Sequence, residues 1–104
     1  MSDRLWKKTE RAIAKRLGGQ RVGATGKPGP DVVTSTLSVE VKTRKTLPKW
    51  LKDALAQATN GADGRLPVVI IHQAGERHAD DLVLVRMGDF EDWFGDIIKL
   101  ERPF

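Results

Sequence analysis

The stretch that most constrains this chain runs from Pro30 to Lys42, PDVVTSTLSVEVK, directly after the run ATGKPGP at 24–30. So much Gly and Pro makes 24–30 a loop. Two strands follow, over 31–34 and 37–43, joined by a tight polar turn near Ser35 and Thr36. Alternate side chains of a strand share a face. Leu37, Val39, Val41 and Thr43 therefore point into the core, and Ser38, Glu40 and Lys42 point the other way. Glu40 and Lys42 become neighbours on one face. Asp31 opens the partner strand, so a hairpin places its carboxylate near Glu40.

The remaining pattern supplies partners for this hairpin. Trp6, Ile13, Ala14 and Leu17 recur at helical spacing, which predicts a helix over 3–17 that stops at Gly18-Gly19, with Asp3 as its N-terminal cap. Residues 20–23 suit a short strand. A second helix is expected over 48–60, with Pro48 in its first turn, Asn60-Gly61 at its end, and Leu51, Ala54, Leu55 and Ala58 as its apolar stripe. The β-branched run 67–71 has the pattern of a strand buried on both faces. Residues 82–85 form another strand, 72–81 a polar loop between them, and 88–94 a short amphipathic helix. The order α-β-β-β-α-β-β-α implies an α/β fold, a mixed β-sheet flanked by helices, in one domain spanning 1–104.

Composition narrows the function classes. The chain lacks cysteine, which removes disulfides, thiolate zinc sites and cysteine nucleophiles together. No apolar run approaches the ~18 residues of a membrane span. The opening MSDRLWKKTERAIAKRL lacks the apolar stretch of a signal peptide, so a soluble, cytoplasmic protein is expected. The net charge of +4 is unevenly spread. Residues 1–52 hold 13 Lys/Arg against four acids, a balance of +9, and residues 53–104 hold five against ten, a balance of −5. A basic half that also holds the hairpin suggests a polyanionic partner. The alternative is a basic, merely solvated helix face.

Two carboxylates held close are unfavourable unless a cation neutralises them. Mg²⁺ favours carboxylates with water and phosphate oxygens. Asp31 and Glu40 can hold such an ion, and Lys42 can stabilise charge on an attacked phosphate or position the water. The plainer alternative is an ordinary exposed salt bridge on a hairpin. Glu10 adds weight to the first reading. Trp6, Ile13, Ala14 and Leu17 lie within about 60° of it around the helix, so it sits inside the apolar stripe and needs a partner, a metal or a path to water. Otherwise it lies at the stripe's edge and pairs with Arg11 or Lys15. Gln57, at the border of the second helix's buried face, either touches the site or is surface polar.

Together Glu10, Pro30-Asp31, Glu40-Val41-Lys42 and Gln57 resemble the PD-(D/E)XK nuclease superfamily, and within it the archaeal-type and phage-borne Holliday-junction resolvases. Shared features are an early helix Glu followed by Arg (Glu10-Arg11), a basic residue after that helix (Arg21), a Gly/Pro loop into the Asp, and E-V-K, over about residues 1–72. A virus-type replication-repair nuclease has a similar G-x-P-D…E-V-K…Q order. The chain is shorter than typical resolvases, with a minimal hairpin turn, which bears on the junction-gripping surface and not on the active site. The resemblance implies a restriction-endonuclease-like fold and Mg²⁺-dependent DNA cleavage, with Mn²⁺ as substitute, leaving a 5′-phosphate and a 3′-hydroxyl. It makes Asp31 and Glu40 metal ligands with the Val41 carbonyl, gives Glu10 a second metal or its waters, sets Lys42 on the nucleophilic water or the phosphate, has Gln57 orient the site, and places Arg11 and Arg21 on DNA. It also implies a homodimer acting on four-way DNA junctions, in a prokaryotic, archaeal or phage-infected cell. The alternatives are another structure-selective, nicking or repair nuclease of the superfamily, and a nucleic-acid-binding module that does not cut.

Other features take subordinate places. Gly26-Lys27 resembles the end of a P-loop, but Arg21 and Pro28 stand where Gly and Ser/Thr are required. The loop either grips phosphate through Thr25 and Lys27 or simply connects. Lys42, Arg44, Lys45, Lys49 and Lys52, with Trp50 among them, are expected to contact the DNA backbone; otherwise they form a solvated face with Trp50 in the core. His72 and His78, six apart, do not have the spacing of a helical zinc pair and read as surface polar groups. The absence of tyrosine excludes a tyrosine-linked DNA mechanism, and the lack of G-x-S-x-G disfavours a nucleophile-elbow serine hydrolase. Phe90, Trp93 and Phe94 concentrate apolar surface near the C-terminus, as core or as a dimer contact.

Overall fold

In the computed structural model the first helix, α1, spans Asp3–Leu17. It ends as the glycine pair requires. Gly18 takes φ +68°, a left-handed conformation that glycine adopts without strain. Its N–H donates to Lys15 O at 3.3 Å, and Gly19 N–H donates to Ala14 O at 2.8 Å. These are the paired bonds of a Schellman ending, and they satisfy carbonyls the helix leaves open. Lys15 and Arg16 in the last turn oppose the negative end of the helix dipole. The structure describes residues 3–23 and 28–100, with side chains for 5–23 and 28–96, so Thr25 and Lys27, and the Asp3 side chain expected as a cap, lie outside what is described.

The expected element order is present: strands β1 (Gln20–Arg21), β2 (Val32–Val33) and β3 (Ser38–Val39), helix α2 (Lys49–Asn60), strands β4 (Val69–Ile71) and β5 (Leu82–Leu84), and helix α3 (Met87–Leu100). The single mixed sheet is not. Among the described residues the strands form two antiparallel sheets, β1-β2-β3 and β4-β5. The chain correspondingly divides into two compact units, Met1–Lys45 with Phe94–Phe104, and Thr46–Trp93.

In the first unit α1 packs on β1 and β2. Val32, in the middle strand, is fully buried, and Ala14 and Leu17 of α1 are 6% exposed. Burying one valine contributes about 1.5–3 kcal/mol. Val32 stands opposite Arg21 on one side and Val39 on the other. Directly opposite residues share a face, so Arg21, Val32 and Val39 form one row across the sheet. The β2–β3 turn is as tight as expected: Thr34 N–H donates to Leu37 O at 3.0 Å, and Thr34 Oγ1 accepts from Leu37 N–H at 2.9 Å.

The strands are shorter than expected. Proline has no N–H, so Pro30 cannot extend the ladder on β2. Past Val39 the paired strand therefore ends, although the alternation of half-buried Val41 between exposed Glu40 and Lys42 persists. Thr43, expected in the core, is exposed. Trp6 is also 46% exposed, since the stripe's buried part is its C-terminal end.

In the second unit α2 packs on β4, and Pro48 stands at the N-cap, one place before the first turn of α2. Gly61 ends it with φ −94°, and the left-handed residue falls at Asp63. The run 67–71 is not buried on both faces: Ile70 is 56% exposed and its partner Val83 62%. A two-stranded ribbon has too few neighbours to cover both faces, and periodicity cannot distinguish the two cases. Trp50 (59%) and Trp93 (54%) are likewise outside any core. The third helix extends beyond the expected 88–94, and one 3₁₀ turn, His78–Asp80, interrupts the expected loop. Among the described residues no helix is long and apolar enough to cross a membrane.

Gly19 sits at a close approach between the end of α1 and β2 in the first unit. A Cβ there would collide with Val33 O and lie 2.8 Å from Thr34 Cγ2. Backbone cannot yield as a flexible side chain does, so Gly19→Ala is expected to destabilise by about 1–3 kcal/mol. A lowered urea midpoint at unchanged m-value checks this.

Candidate active site

Asp31 is fixed by three bonds. Its carbonyl accepts from Val22 N–H at 2.9 Å and its N–H donates to Val39 O at 2.8 Å, tying it to both neighbouring segments. Its Oδ2 then accepts from Val41 N–H at 2.7 Å. A side chain thus takes over where the backbone ladder stops. This bond draws Glu40-Val41-Lys42 towards Asp31, with the chain no longer held in strand geometry.

Glu10 approaches from α1. It is 3% exposed, and its Oε1 accepts from Arg21 Nε at 2.8 Å. The helical stripe correctly demands a partner for this carboxylate. The partner is neither Arg11 nor Lys15, which are exposed, but the β1 residue in register with Val32. Arg21 therefore spends its Nε inside the unit, whereas the resemblance would have it face DNA.

These residues meet around one cavity of about 300 Å³, lined by Trp6, Glu10, Asp31, Glu40, Val41, Lys42, Thr43 and Arg44. Five of them, Glu10, Asp31, Glu40, Val41 and Lys42, are expected from the sequence. Trp6 forms cavity wall instead of core, and Arg44, expected to contact DNA, lines the same cavity. Trp6 was open to inference, because a residue one turn before Glu10 shares its face. Gln57, Lys49 and Lys52 belong to α2 in the second unit and are exposed there; Lys49 Nζ pairs with Asp53 Oδ2 at 2.6 Å. Arg11 and Lys45 are exposed in the first unit.

No family model matches the chain, and no curated protein or solved structure matches it either. The chemistry of the cavity must speak for itself.

Its donors are hard. The carboxylate residues Glu10, Asp31 and Glu40 line it, with no imidazole or sulfur among the lining residues. That set fits Mg²⁺ or Mn²⁺ and disfavours softer ions. An ionised carboxylate offers about four lone-pair sites, so one hydrogen bond exhausts neither Asp31 nor Glu10. Lys42 Nζ lies 2.7 Å from Glu40 Oε2, as alternate residues on one face allow. The hydrogen bond to Glu40, followed by that carboxylate's charge, holds the Lys42 ammonium above its ordinary 10.5, with Asp31 adding and Arg44 opposing. Both partners are more than half exposed, so this pair positions charge and contributes little stability.

Two outcomes check the geometry. Arg21→Ala leaves Glu10 buried and uncompensated, and is expected to cost about 3 kcal/mol, near the lower end for a broken buried pair because Arg21 is 22% exposed. The double change Glu10→Leu with Arg21→Met should recover most of it in the same denaturant titration. The second outcome concerns pH. A raised lysine pKa means that the Lys42–Glu40 pair is fully present below 10.5 and is lost as pH rises through the higher folded value. NMR titration of the Lys42 side chain should give a midpoint above 10.5 that falls in Glu40→Gln.

Proposed function

We propose that this chain is a cytoplasmic, metal-dependent DNA endonuclease of restriction-endonuclease-like architecture, acting as a homodimer that resolves four-way junctions. The observation that carries the reading is the convergence of Glu10, Asp31, Glu40, Val41 and Lys42 on one cavity. They come from a helix, a loop end and the segment after β3, separated by up to 32 positions in sequence. Further support comes from the basic balance of residues 1–52.

On this reading Asp31, Glu40 and the Val41 carbonyl hold Mg²⁺, with Glu10 serving a second ion or its waters. The ion supplies Lewis-acid stabilisation to the phosphate and lowers the pKa of water. Lys42 contributes a cation beside the phosphate, where negative charge grows as water adds to phosphorus. Arg44, on the same cavity wall, can bind a neighbouring phosphate oxygen and hold the backbone in register. The bond to the 3′-oxygen breaks, that oxygen takes up a proton, and the other product keeps a 5′-phosphate. Lys45 extends that contact along the DNA backbone, and Lys49 and Lys52 of the second unit also bind DNA phosphates.

One observation favours a second reading, a nucleic-acid-binding module without cleavage. Glu10 and Glu40 already carry cationic partners, Arg21 and Lys42, and need no metal for neutralisation. Metal dependence separates the two readings.

The deciding experiment offers a synthetic four-way junction, linear duplex and flap DNA to the protein with Mg²⁺ or EDTA. Paired cuts confined to the junction, lost in EDTA, are the expected result. Asp31→Asn and Glu40→Gln should each lose cleavage and keep binding, since each removes a metal ligand and little bulk. Cleavage retained in both would overturn the site, and binding without cutting by the unaltered chain would favour the module. For the DNA face, Lys49→Ala or Lys52→Ala should flatten the slope of log K against log salt by about 0.9 for each phosphate that the variant no longer neutralises. An unchanged slope moves that surface elsewhere.

A further inference from the structure

The segment that joins β4 to β5 carries chemistry that the nuclease reading does not use. Ile71 and Leu82 form the last pair of the β4–β5 ladder, so His72 and Asp81 stand one residue beyond it on each side. His72 Nδ1 lies 2.6 Å from Asp81 Oδ1. The 3₁₀ turn His78–Asp80 then folds the chain back, with Asp81 N–H donating to His78 O at 3.0 Å. That brings His78 Nδ1 to 3.1 Å from Oδ2 of the same carboxylate. The two imidazole rings sit 4.5 Å apart, tilted by 35°. Asp81 is 11% exposed in its side chain, and the histidines that flank it are open to solvent.

We propose that His72, His78 and Asp81 bind a divalent transition-metal ion, best matched by Zn²⁺. Sequence spacing hides the site, because residues six apart share no helical face; the hairpin and the 3₁₀ turn close the gap. Each residue offers one ligand atom, and the three atoms lie within 4.8 Å of one another. Donors around a tetrahedral ion with bonds near 2.0 Å sit about 3.3 Å apart, so the widest separation closes by up to about 1.5 Å while the 2.6 Å His72–Asp81 pair opens. His78, whose side chain is 85% exposed, is free to make that movement.

The donor types select the ion. Two imidazole nitrogens and one carboxylate oxygen form a three-ligand set that zinc completes with water. Mg²⁺ prefers oxygen donors and holds its water tightly, so it competes poorly here. Room for the completing waters exists: His72 also lines a cavity of about 400 Å³ with Ile71, Gln73, Glu76, Asp80 and Leu82. A neutral imidazole that donates Nδ1–H to Asp81 frees that nitrogen by moving its proton to Nε2, so no proton is gained or lost. The bound ion ties the end of β4, the 3₁₀ turn and the start of β5 together, and so stabilises the folded chain by mass action.

This site stands independently of the nuclease reading, and the test keeps the two apart. The metal-stripped full chain is titrated with ZnCl₂ by calorimetry in excess MgCl₂. One Zn²⁺ per chain is expected, with a rise in the thermal unfolding midpoint. His78→Ala, at an exposed position that leaves the fold intact by circular dichroism, should weaken binding at least about 10-fold and abolish the thermal shift. His72→Gln should do the same, while Asp31→Asn should leave the zinc isotherm unchanged. Equal zinc affinity in the unaltered chain and both histidine variants overturns the proposal, as does no binding at about 100 μM Zn²⁺. Loss of zinc binding in Asp31→Asn alone also overturns it, because it assigns the ion to the other cavity.

Discussion

The first unit depends on a carboxylate placed where a hydrophobe would be ordinary. Glu10 lies within the apolar stripe of α1 and is buried against a charged partner, Arg21. Desolvating two charges is costly, and their attraction offsets that only when the geometry is good. Leucine at both positions would make a simpler contact between α1 and β1. The pair instead fixes register: Arg21 meets Glu10 only if β1 lies opposite Val32 as it does, and that alignment leads to Asp31. An ion pair thus specifies position at a cost in stability, and this makes sense if Glu10 must face the cavity.

Asp31 continues the same logic. A regular β3 reaching to Thr43 would have given more ladder hydrogen bonds. The chain ends the ladder at Val39, and the Asp31 carboxylate takes the N–H of Val41 in its place. Glu40, Val41 and Lys42 then line one cavity, although strict alternation would send Val41 away from the other two. The end of the ladder leaves Glu40, Val41 and Lys42 together on one cavity. Pro30 favours that ending from the β2 side, since it has no N–H to donate to the pairing.

Much of this was legible in the sequence because it rests on local rules. The helix end at Gly18-Gly19, the two-residue turn after Thr34 and the order of elements follow from turn chemistry and periodicity. The need of Glu10 for a partner follows from its angle on the helix. The identity of that partner did not follow, because Arg21 comes from cross-strand register, which depends on how 20–21 meets 32–33. The same limit hid His72, His78 and Asp81, which gather only through a hairpin and a 3₁₀ turn. Sheet membership was equally opaque. An apolar run such as 67–71 pairs well in one mixed sheet or in a two-stranded ribbon, and nothing within it records the choice.

Charge balance links the cavity to its proposed substrate. Glu10, Asp31 and Glu40 carry three negative charges, and Lys42, Arg44 and the Arg21 paired to Glu10 carry three positive ones. Such a cavity is near neutral without a ligand, so a dication entering alone would leave an excess of two positive charges at close range. A phosphodiester carries one negative charge per phosphate and offsets part of that excess. On the nuclease reading, metal and DNA therefore each favour the other's binding. By linkage that coupling is reciprocal. Glu40 would then be available to hold the ion, and Lys42 to face the phosphate. The exposure of both partners makes that exchange inexpensive, which a buried pair such as Glu10–Arg21 would not allow.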